Sequence, residues 1–115
     1  MTMGGSNTLR DVSYTDQATI TLNWDTTDIA LIDSLSQNTT FAQMSGSPTV
    51  GRKMEIRIIS SSARTLSWHS SFKSSDDISL PTTTSGGGKL DRIWVEHYPS
   101  GNKNHIVGRA FGTTL

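Results

Sequence analysis

Three histidines, His69, His97 and His105, are the side chains of this sequence that most readily bind a metal ion or transfer a proton near neutral pH. His97 and His105 flank a turn-forming stretch of Pro, Ser, Gly and Asn, so a hairpin would let them face each other. Glu96 would then be a nearby carboxylate ligand. Neighbouring residues of a strand point to opposite faces, however, so Glu96 and His97 do not converge easily on one ion. We therefore predict exposed or interface histidines, without a metal or other cofactor.

Serine and aspartate are frequent enough to supply the parts of a catalytic triad by composition alone. The chain has no G-x-S-x-G nucleophile elbow, and it has no cysteine, which excludes thiol nucleophiles, disulfides and thiolate metal sites. Asp76 and Asp77 form a lone acidic pair in a serine-rich loop, and such a pair is usually solvated rather than bound to calcium. The sequence therefore predicts that the protein is not an enzyme.

Three tryptophans could form a sugar-binding surface, since aromatic faces stack on pyranose rings, but large aromatic side chains more often fill a core. We assign Trp24 and Trp68 to the core. Trp94 stays open between core and surface, because its side of the predicted strand also carries Glu96 and Tyr98.

Charge and hydropathy exclude two classes of partner. Ten Lys and Arg balance ten Asp and Glu, so no basic face for nucleic acid is evident. No apolar run approaches the roughly 18 residues of a membrane span, and the N-terminus lacks the apolar segment of a signal peptide. We expect a protein that binds neither nucleic acid nor membrane and is made in a cytoplasm.

The N-terminal half of the sequence predicts an arm followed by short strands. Residues 1–8 are small, polar and glycine-rich, and we assign residues 1–14 to an extended arm. From residue 18 to 24 larger side chains alternate with polar ones, which predicts a strand. A turn at residues 25–28 would let a second strand, at 29–35, pair back on the first. A short strand follows at 39–42.

Residues 51–72 are the predicted centre of the fold. Two apolar runs, at 54–59 and 66–68, flank a polar connector, which is the sequence form of a β-hairpin. Ile56 and Ile58 would face the core together with Trp68 of the partner strand. Arg57 and Ile59 would occupy the opposite face, where an apolar Ile59 is explained by contact with a second sheet edge or a neighbouring subunit.

The remaining pattern completes an all-β protein. A short strand is expected at 78–80, and a closing hairpin at 90–98 and 105–111 with its turn at 99–102. No segment shows a sustained period of 3.6, so helix content should be near zero. About seven to eight short strands predict a single antiparallel β-sandwich or β-barrel-like domain over residues 15–115.

Four of these segments resemble a β-rich module of tailed-bacteriophage virion proteins. Residues 19–24 read TITLNW, 38–41 NTTF, 51–58 GRKMEIRI and 64–68 RTLSW, and residues 90–111 match the closing hairpin. The module commonly has proline after the last tryptophan, where this chain has His69. It occurs in tail fibres, head fibres and capsid decoration proteins, usually as homotrimers, so the resemblance implies a virion setting and a structural role.

A chain with one domain, a short arm and no shaft repeats is most similar to a capsid decoration, or cement, protein. The resemblance then implies a location on the capsid surface after assembly in the host bacterial cytoplasm. Its partners would be the major capsid protein and other copies of itself. The capsid contacts would come from arm residues Thr2, Asn7, Thr8, Leu9 and Arg10.

The alternative is a receptor-binding or glycan-binding module of a tail fibre or head fibre. A host surface glycan would then bind near Trp94 and Tyr98. Under either reading the candidate surface for a ligand or a second subunit comprises Trp94, Tyr98, Arg57 and Ile59.

Overall fold

The computed structural model describes residues 9–98 and 103–115, and this part of the chain contains nine strands and no helix. The prediction of a β-rich protein is therefore confirmed. In chain order the strands are β1 (Asp11–Ser13), β2 (Thr19–Ile20), β3 (Ile29–Ile32), β4 (Thr39–Phe41), β5 (Lys53–Ser60), β6 (Leu66–Trp68), β7 (Phe72–Lys73), β8 (Lys89–His97) and β9 (Asn104–Thr113).

The first six strands alternate between two sheets. β1, β3 and β5 lie side by side in a six-stranded sheet, whereas β2, β4 and β6 make up a three-stranded sheet. Each connection therefore crosses from one sheet to the other, and successive strands within a sheet run in the same direction. From β1 to β6 the chain therefore winds three times from the larger sheet to the smaller one. We call this arrangement of parallel strands the parallel winding.

The last three strands complete the larger sheet, whose order is β1-β3-β5-β8-β9-β7. β8 runs antiparallel to β5 and pairs with every residue of β5. β9 runs antiparallel to β8, and β7 is parallel to β9. The β8–β9 ladder shifts register between Trp94 and Val95, as at a β-bulge. The long strands β5, β8 and β9 form the centre of this sheet.

The predicted antiparallel arrangement is wrong for most of the described strands. Only the β5–β8 and β8–β9 pairs are antiparallel, and both sheets are otherwise built from parallel pairs. Hydrophobic alternation reports which side chains face the core, and it is the same for both strand directions. Hydrophobic alternation therefore does not indicate whether a neighbouring strand is parallel or antiparallel.

The predicted hairpin at residues 51–72 is also wrong, because its two strands belong to different sheets. β5 pairs with β3 and β8, whereas β6 pairs with β4. The connector is held by Thr84, whose Oγ1 accepts hydrogen bonds from Ser60 Oγ at 2.9 Å and from the backbone N–H of Arg64 at 2.8 Å. These bonds fix the path by which the chain leaves one sheet and enters the other.

Two smaller predictions also differ from the structure. β2 does not pair back on β3, since the two strands lie in separate sheets. Ile78 and Leu80 belong to no strand, although both are half-buried against the core. Of the predicted strand at 18–24, only the two residues of β2 form a strand. Beyond it, an isolated parallel bridge joins Asn23 to Ser45, which lies after the end of β4.

One core joins the two sheets. Ile20, Phe41 and Leu66 come from the smaller sheet, and Ile56 and Ile93 come from the larger one. All five side chains are at most 2% exposed. The smaller sheet therefore lies against one face of the larger sheet and leaves the other face turned away from the core.

Candidate functional site

The face of the six-stranded sheet that points away from the core is the candidate functional site. Along β5, Met54, Ile56 and Ile58 are buried, and along β8, Ile93 and Val95 are buried. The alternate residues point the other way. Directly paired residues share a face, so the outward face, as we call it, carries Lys53 opposite Glu96, Glu55 opposite Trp94, Arg57 opposite Arg92, and Ile59 at the end of β5.

Trp94 lies half-buried at the centre of the outward face. Its indole rests against Gly108 of β9, where a Cβ atom would come within 3.2 Å of the Trp94 Cε3 atom. The missing side chain at Gly108 thus makes room for the ring. No hydrogen bond from the indole Nε1 occurs within residues 9–98 and 103–115. Trp94 therefore presents both a partly exposed ring and a free donor on a surface that points away from the core.

Arg57 and Glu55 form an ion pair next to Trp94, with 2.6 Å between Arg57 Nε and Glu55 Oε2. The hydrogen bond to Glu55 is the main reason that the pKa of the Arg57 guanidinium lies above its ordinary value, and the negative charges of Glu55 and Asp11 add to it. This pair is neutral as a unit, so it contributes little net charge to the outward face.

Arg92 and Glu96 have no such compensation. Arg92 lies directly across from Arg57, and like charges in that position repel each other. Its Nε atom is buried and has no hydrogen-bond partner in the described part of the chain. Glu96, four residues further along β8, likewise makes no ion pair there. Lys53, directly across from Glu96, also makes no ion pair in the described residues. The outward face therefore carries two cations, Arg92 and Lys53, and one carboxylate, Glu96, that are available to water or to another molecule.

Apolar side chains surround these charges. The strand registers place Ile29 and Leu31 of β3 on the outward face, and they place Leu90 beside Ile59. Parallel strands usually have both of their faces covered by protein. A parallel region with this many aliphatic groups on its second face is typical of a surface that another protein covers.

The four residues predicted as a ligand or subunit surface do not form one cluster. Trp94, Arg57 and Ile59 lie on the outward face, as the register shows. Tyr98 follows the end of β8, is 55% exposed, and contacts the ring of His105 with 6.5 Å between centroids. Tyr98 thus lies at one end of this face, beside residues 99–102, which are outside the described residues.

The predicted capsid-contact arm is only partly described. Thr2, Asn7 and Thr8 lie outside the described residues, and Leu9 is 61% exposed. Arg10 is not free, because its Nε atom lies 3.0 Å from Asp28 Oδ2. Residues 11–13, which fall within the predicted arm of residues 1–14, form the edge strand β1.

Asp28 joins the start of β1 to the start of β5. Its carboxylate accepts hydrogen bonds from the Arg10 backbone N–H and side chain, and from Arg52 at 2.7 Å. Burial raises the pKa of Asp28, but the hydrogen bonds and the charge of Arg10 outweigh burial and leave the pKa below its ordinary value. Arg10 therefore has a structural partner of its own.

The predicted core residues divide into two groups. Trp24, Ile56 and Ile58 are at most 2% exposed. Trp68 is half-buried at the margin of the core, where its ring stacks on Phe41 with centroids 4.6 Å apart. Its Nε1 donates to the carbonyl oxygen of Pro81 at 2.7 Å. Trp24 is therefore the more central of the two tryptophans.

The histidines do not converge. In the β8–β9 ladder His97 pairs with Asn104, whereas His105 pairs with Glu96, so the two imidazoles lie on opposite faces. His97 is 5% exposed and packs against Trp24, and its Nδ1 atom has no hydrogen-bond partner in the described residues. His69 is exposed and interacts with Ser71. No group of three or more metal-binding side chains occurs in residues 9–98 and 103–115.

A small cleft at one end of the outward face was not predicted from the sequence. Residues 33–36 line it together with Ile59, Ser61 and Gly88, and its volume is about 250 Å³. The only sequence feature that points to this cleft is the outward position of the apolar Ile59, for which the sequence predicts contact with a second sheet edge or a neighbouring subunit. The structure gives it a local role as part of the cleft wall.

No helix long and apolar enough to cross a membrane occurs in the described residues. Comparisons with protein families, with curated proteins and with solved structures found no match to this chain.

Proposed function

We propose that this protein is a structural component of a bacteriophage virion, a capsid decoration protein that binds the assembled shell. The proposal rests on the resemblance of four β segments to phage virion modules. The observation that carries it is the outward face, where Trp94 lies between Arg92 and Glu96, neither of which makes an ion pair in the described residues. Such a surface suits contact with another protein, because aromatic and arginine side chains dominate the energetics of interfaces.

The proposed mechanism is mechanical rather than chemical. A protein that binds the mature shell, but not its precursor or its dissociated subunits, stabilises the mature shell by mass action. Under this proposal the two sheets form a sandwich-like domain that stands on the capsid surface as a homotrimer. Residues 1–8 would add contacts along the shell.

Co-sedimentation with purified capsid shells of the parent virus tests the proposal. Wild-type protein should sediment with mature shells, and Trp94→Ala and Arg92→Ala should each weaken binding by at least about tenfold, as hot-spot residues do. Ser67→Ala, at an exposed position of β6 in the smaller sheet and away from the outward face, is the control. Absence of the wild-type protein from both shells and purified virions would refute the proposed function.

The contribution of the arm needs a separate variant. Deletion of residues 2–8 leaves Arg10 and its partner Asp28 in place, so it removes the arm without removing the ion pair. If the arm contacts the shell, this variant should remain folded but bind more weakly. Unchanged binding would restrict the contact to the folded domain.

The oligomeric state is tested on the purified protein by light scattering. A homotrimer should give about three times the 12.5 kDa mass of one chain. A stable monomer at micromolar concentration would contradict an obligate trimer, although assembly on the shell would still be measurable by co-sedimentation.

A glycan-binding module is the second candidate, and the partly exposed Trp94 ring favours it. An aromatic face of this kind stacks on sugar rings, and Arg92 beside it would bind an acidic sugar. Binding of the isolated protein to a glycan array, abolished by Trp94→Ala and accompanied by no binding to shells, would support this function over decoration.

A further inference from the structure

The cleft at the end of the outward face has walls that are already fixed in the folded chain. The backbone N–H of Leu35 donates to the carbonyl oxygen of Ile59 at 3.0 Å, which ties the segment after β3 to the end of β5. Ser36 is held from the other side by Asp16, which accepts hydrogen bonds from its backbone N–H and its hydroxyl. Gly88 donates to the carbonyl oxygen of Ser60 at 2.9 Å. A ligand would therefore enter a preformed site, with little ordering cost.

The lining of the cleft combines an apolar wall with acceptors that have no partner. Leu35 and Ile59 form the aliphatic part of the lining. Leu35 is only 2% exposed, so most of the accessible aliphatic surface comes from the half-buried Ile59. The carboxylate of Asp33 and the hydroxyls of Ser34 and Ser61 make no side-chain hydrogen bond in the described residues. Asp33 also lacks an ion pair there. The cleft thus offers one negative charge and several oxygen acceptors at the margin of an apolar patch.

This chemistry favours one kind of ligand. An anionic group would be repelled by Asp33 and by Asp16, whose pKa is lowered by the hydrogen bonds from Ser36. A sugar ring would find no aromatic platform, since no aromatic side chain lines the cleft. A volume of about 250 Å³ is below the 300–1,000 Å³ of most sites for drug-sized ligands. A short alkyl chain that ends in a cation fits the size, the apolar wall and the charge.

We propose that this cleft receives the side chain of a lysine from a partner protein. The four-carbon stem packs on Leu35 and Ile59, and the ammonium group donates to the Asp33 carboxylate and to serine hydroxyls, because lysine buries its stem while keeping its charge among polar groups. The site would act as an anchor pocket at the edge of the outward face. The identification of the partner as a shell protein rests on the proposed function. The preference of the cleft for a lysine-like side chain rests only on the residues that line the cleft.

Amide chemical shifts of isotope-labelled protein, followed during titration with n-butylammonium, test the ligand class directly. Millimolar binding is expected, with the shifts concentrated at residues 33–36, Ile59 and Gly88. Asp33→Asn should weaken binding at least about fivefold, whereas Asp77→Asn, which removes an exposed carboxylate in a distant segment of the chain, should leave it unchanged. The variant's own spectrum shows whether it is folded.

Neutral probes supply the opposing outcomes. If n-butanol shifts the same amides as strongly as n-butylammonium, or if Asp33→Asn binds the amine as well as wild type does, the cleft does not select a cation and the proposal is wrong. A response to methyl glucoside in place of the amine would identify a sugar site instead. No response to the amine at 50 mM, about the concentration at which a weak millimolar site saturates, would also overturn it.

Shell binding separates this proposal from the proposed function. If the amine binds and Asp33→Asn weakens co-sedimentation with shells, the result supports both the lysine site and the decoration function. If the amine binds but Asp33→Asn decorates shells as wild type does, the assignment of the partner is wrong. If the amine binds and the wild-type protein never binds shells, the decoration function fails while the lysine-type ligand of the cleft remains.

Discussion

At the scale of single residues, the acidic side chain Asp28 links two parts of the fold that are distant in sequence. It bonds Arg10 before β1 and Arg52 before β5. Asp28→Asn should lower the free energy of unfolding by about 1 kcal/mol near neutral pH, a modest value because the pairs are partly open to solvent. Urea denaturation of the variant and of wild type measures this difference.

The pH dependence of that difference follows from the direction of the pKa shift. The pKa of Asp28 is lower in the folded protein than its ordinary value of 3.8, so the stabilisation is present above that value and is lost as the pH falls through the folded pKa. The stability difference between wild type and Asp28→Asn should therefore begin to shrink below about pH 3.8 and should disappear once the pH lies below the folded pKa. A constant difference down to pH 2 would mean that the carboxylate charge is not what stabilises the fold.

Trp24 and Trp68, the two tryptophans in contact with the core, should differ in their contributions to stability. Trp24 is 2% exposed, so Trp24→Ala should cost about 3–5 kcal/mol. Trp68 is half-buried and would lose stacking on Phe41 and its bond to Pro81, so Trp68→Ala should cost about 2–3 kcal/mol. Thermal and chemical denaturation measure both values. A larger cost for Trp68→Ala than for Trp24→Ala would contradict this ranking of the two side chains.

At the scale of elements, Thr84 controls how β5 connects to β6. Thr84 is 3% exposed, and its hydroxyl joins Ser60 to the backbone of Arg64. Thr84→Val keeps the shape but leaves two polar groups without a partner, which should cost about 1–3 kcal/mol. Thr83→Val, at the exposed neighbouring position, is the control and should change stability by less than about 0.5 kcal/mol.

The strands themselves were easier to predict than their neighbours. The alternation of Met54, Ile56 and Ile58 with polar residues gave β5 its correct buried face, and the same reasoning placed Ile20, Leu22 and Trp24 inside. Pairing was missed because a polar connector such as residues 60–64 serves equally well in a hairpin or in a crossing between sheets. The connector is held at both of its ends by Thr84, a residue twenty positions beyond Arg64, and no local pattern reveals this contact.

The candidate site was predictable only in part, for the same reason. The register between β5 and β8 brings Arg57, Ile59 and Trp94 onto one surface, and periodicity alone had already set them apart from the core. The register also brings Arg92 opposite Arg57 and Glu96 opposite Lys53, and the sequence does not show that neither Arg92 nor Glu96 makes an ion pair in the described residues. The cleft depends on three segments that are separate in sequence, so its lining becomes visible only once the winding is known.

At the scale of the whole molecule, the alternation of strands between two sheets makes a prediction that engineered disulfides can test. Thr40 and Ser67 are paired in the parallel β4–β6 register, and both are exposed. Neighbouring strands lie about 4.8 Å apart, within the range that a disulfide spans. Since the chain has no cysteine of its own, Thr40→Cys with Ser67→Cys should form a disulfide on mild oxidation and raise the unfolding free energy by about 3 kcal/mol.

A second cysteine pair distinguishes this topology from the hairpin. Residues 57 and 67 would lie opposite each other if β5 and β6 were joined by a five-residue hairpin loop. In the structure they belong to different sheets, so Arg57→Cys with Ser67→Cys should remain reduced under the same conditions. Mass spectrometry under non-reducing conditions measures both outcomes, and cross-linking of the second pair in place of the first would refute the parallel winding.

The alternation of β1 to β6 between the sheets also dictates when the protein is able to fold. Asp11 pairs with Ile29, and Thr39 pairs with Leu66, so each parallel pair must first close a loop of roughly twenty residues or more, which slows folding. β5 gains its antiparallel neighbour only from β8, which follows β6 and β7 along the chain. A ribosome releases the three parallel turns first and their antiparallel support last. The nascent chain must therefore wait, with its strand edges open, until β8 and β9 have been synthesised.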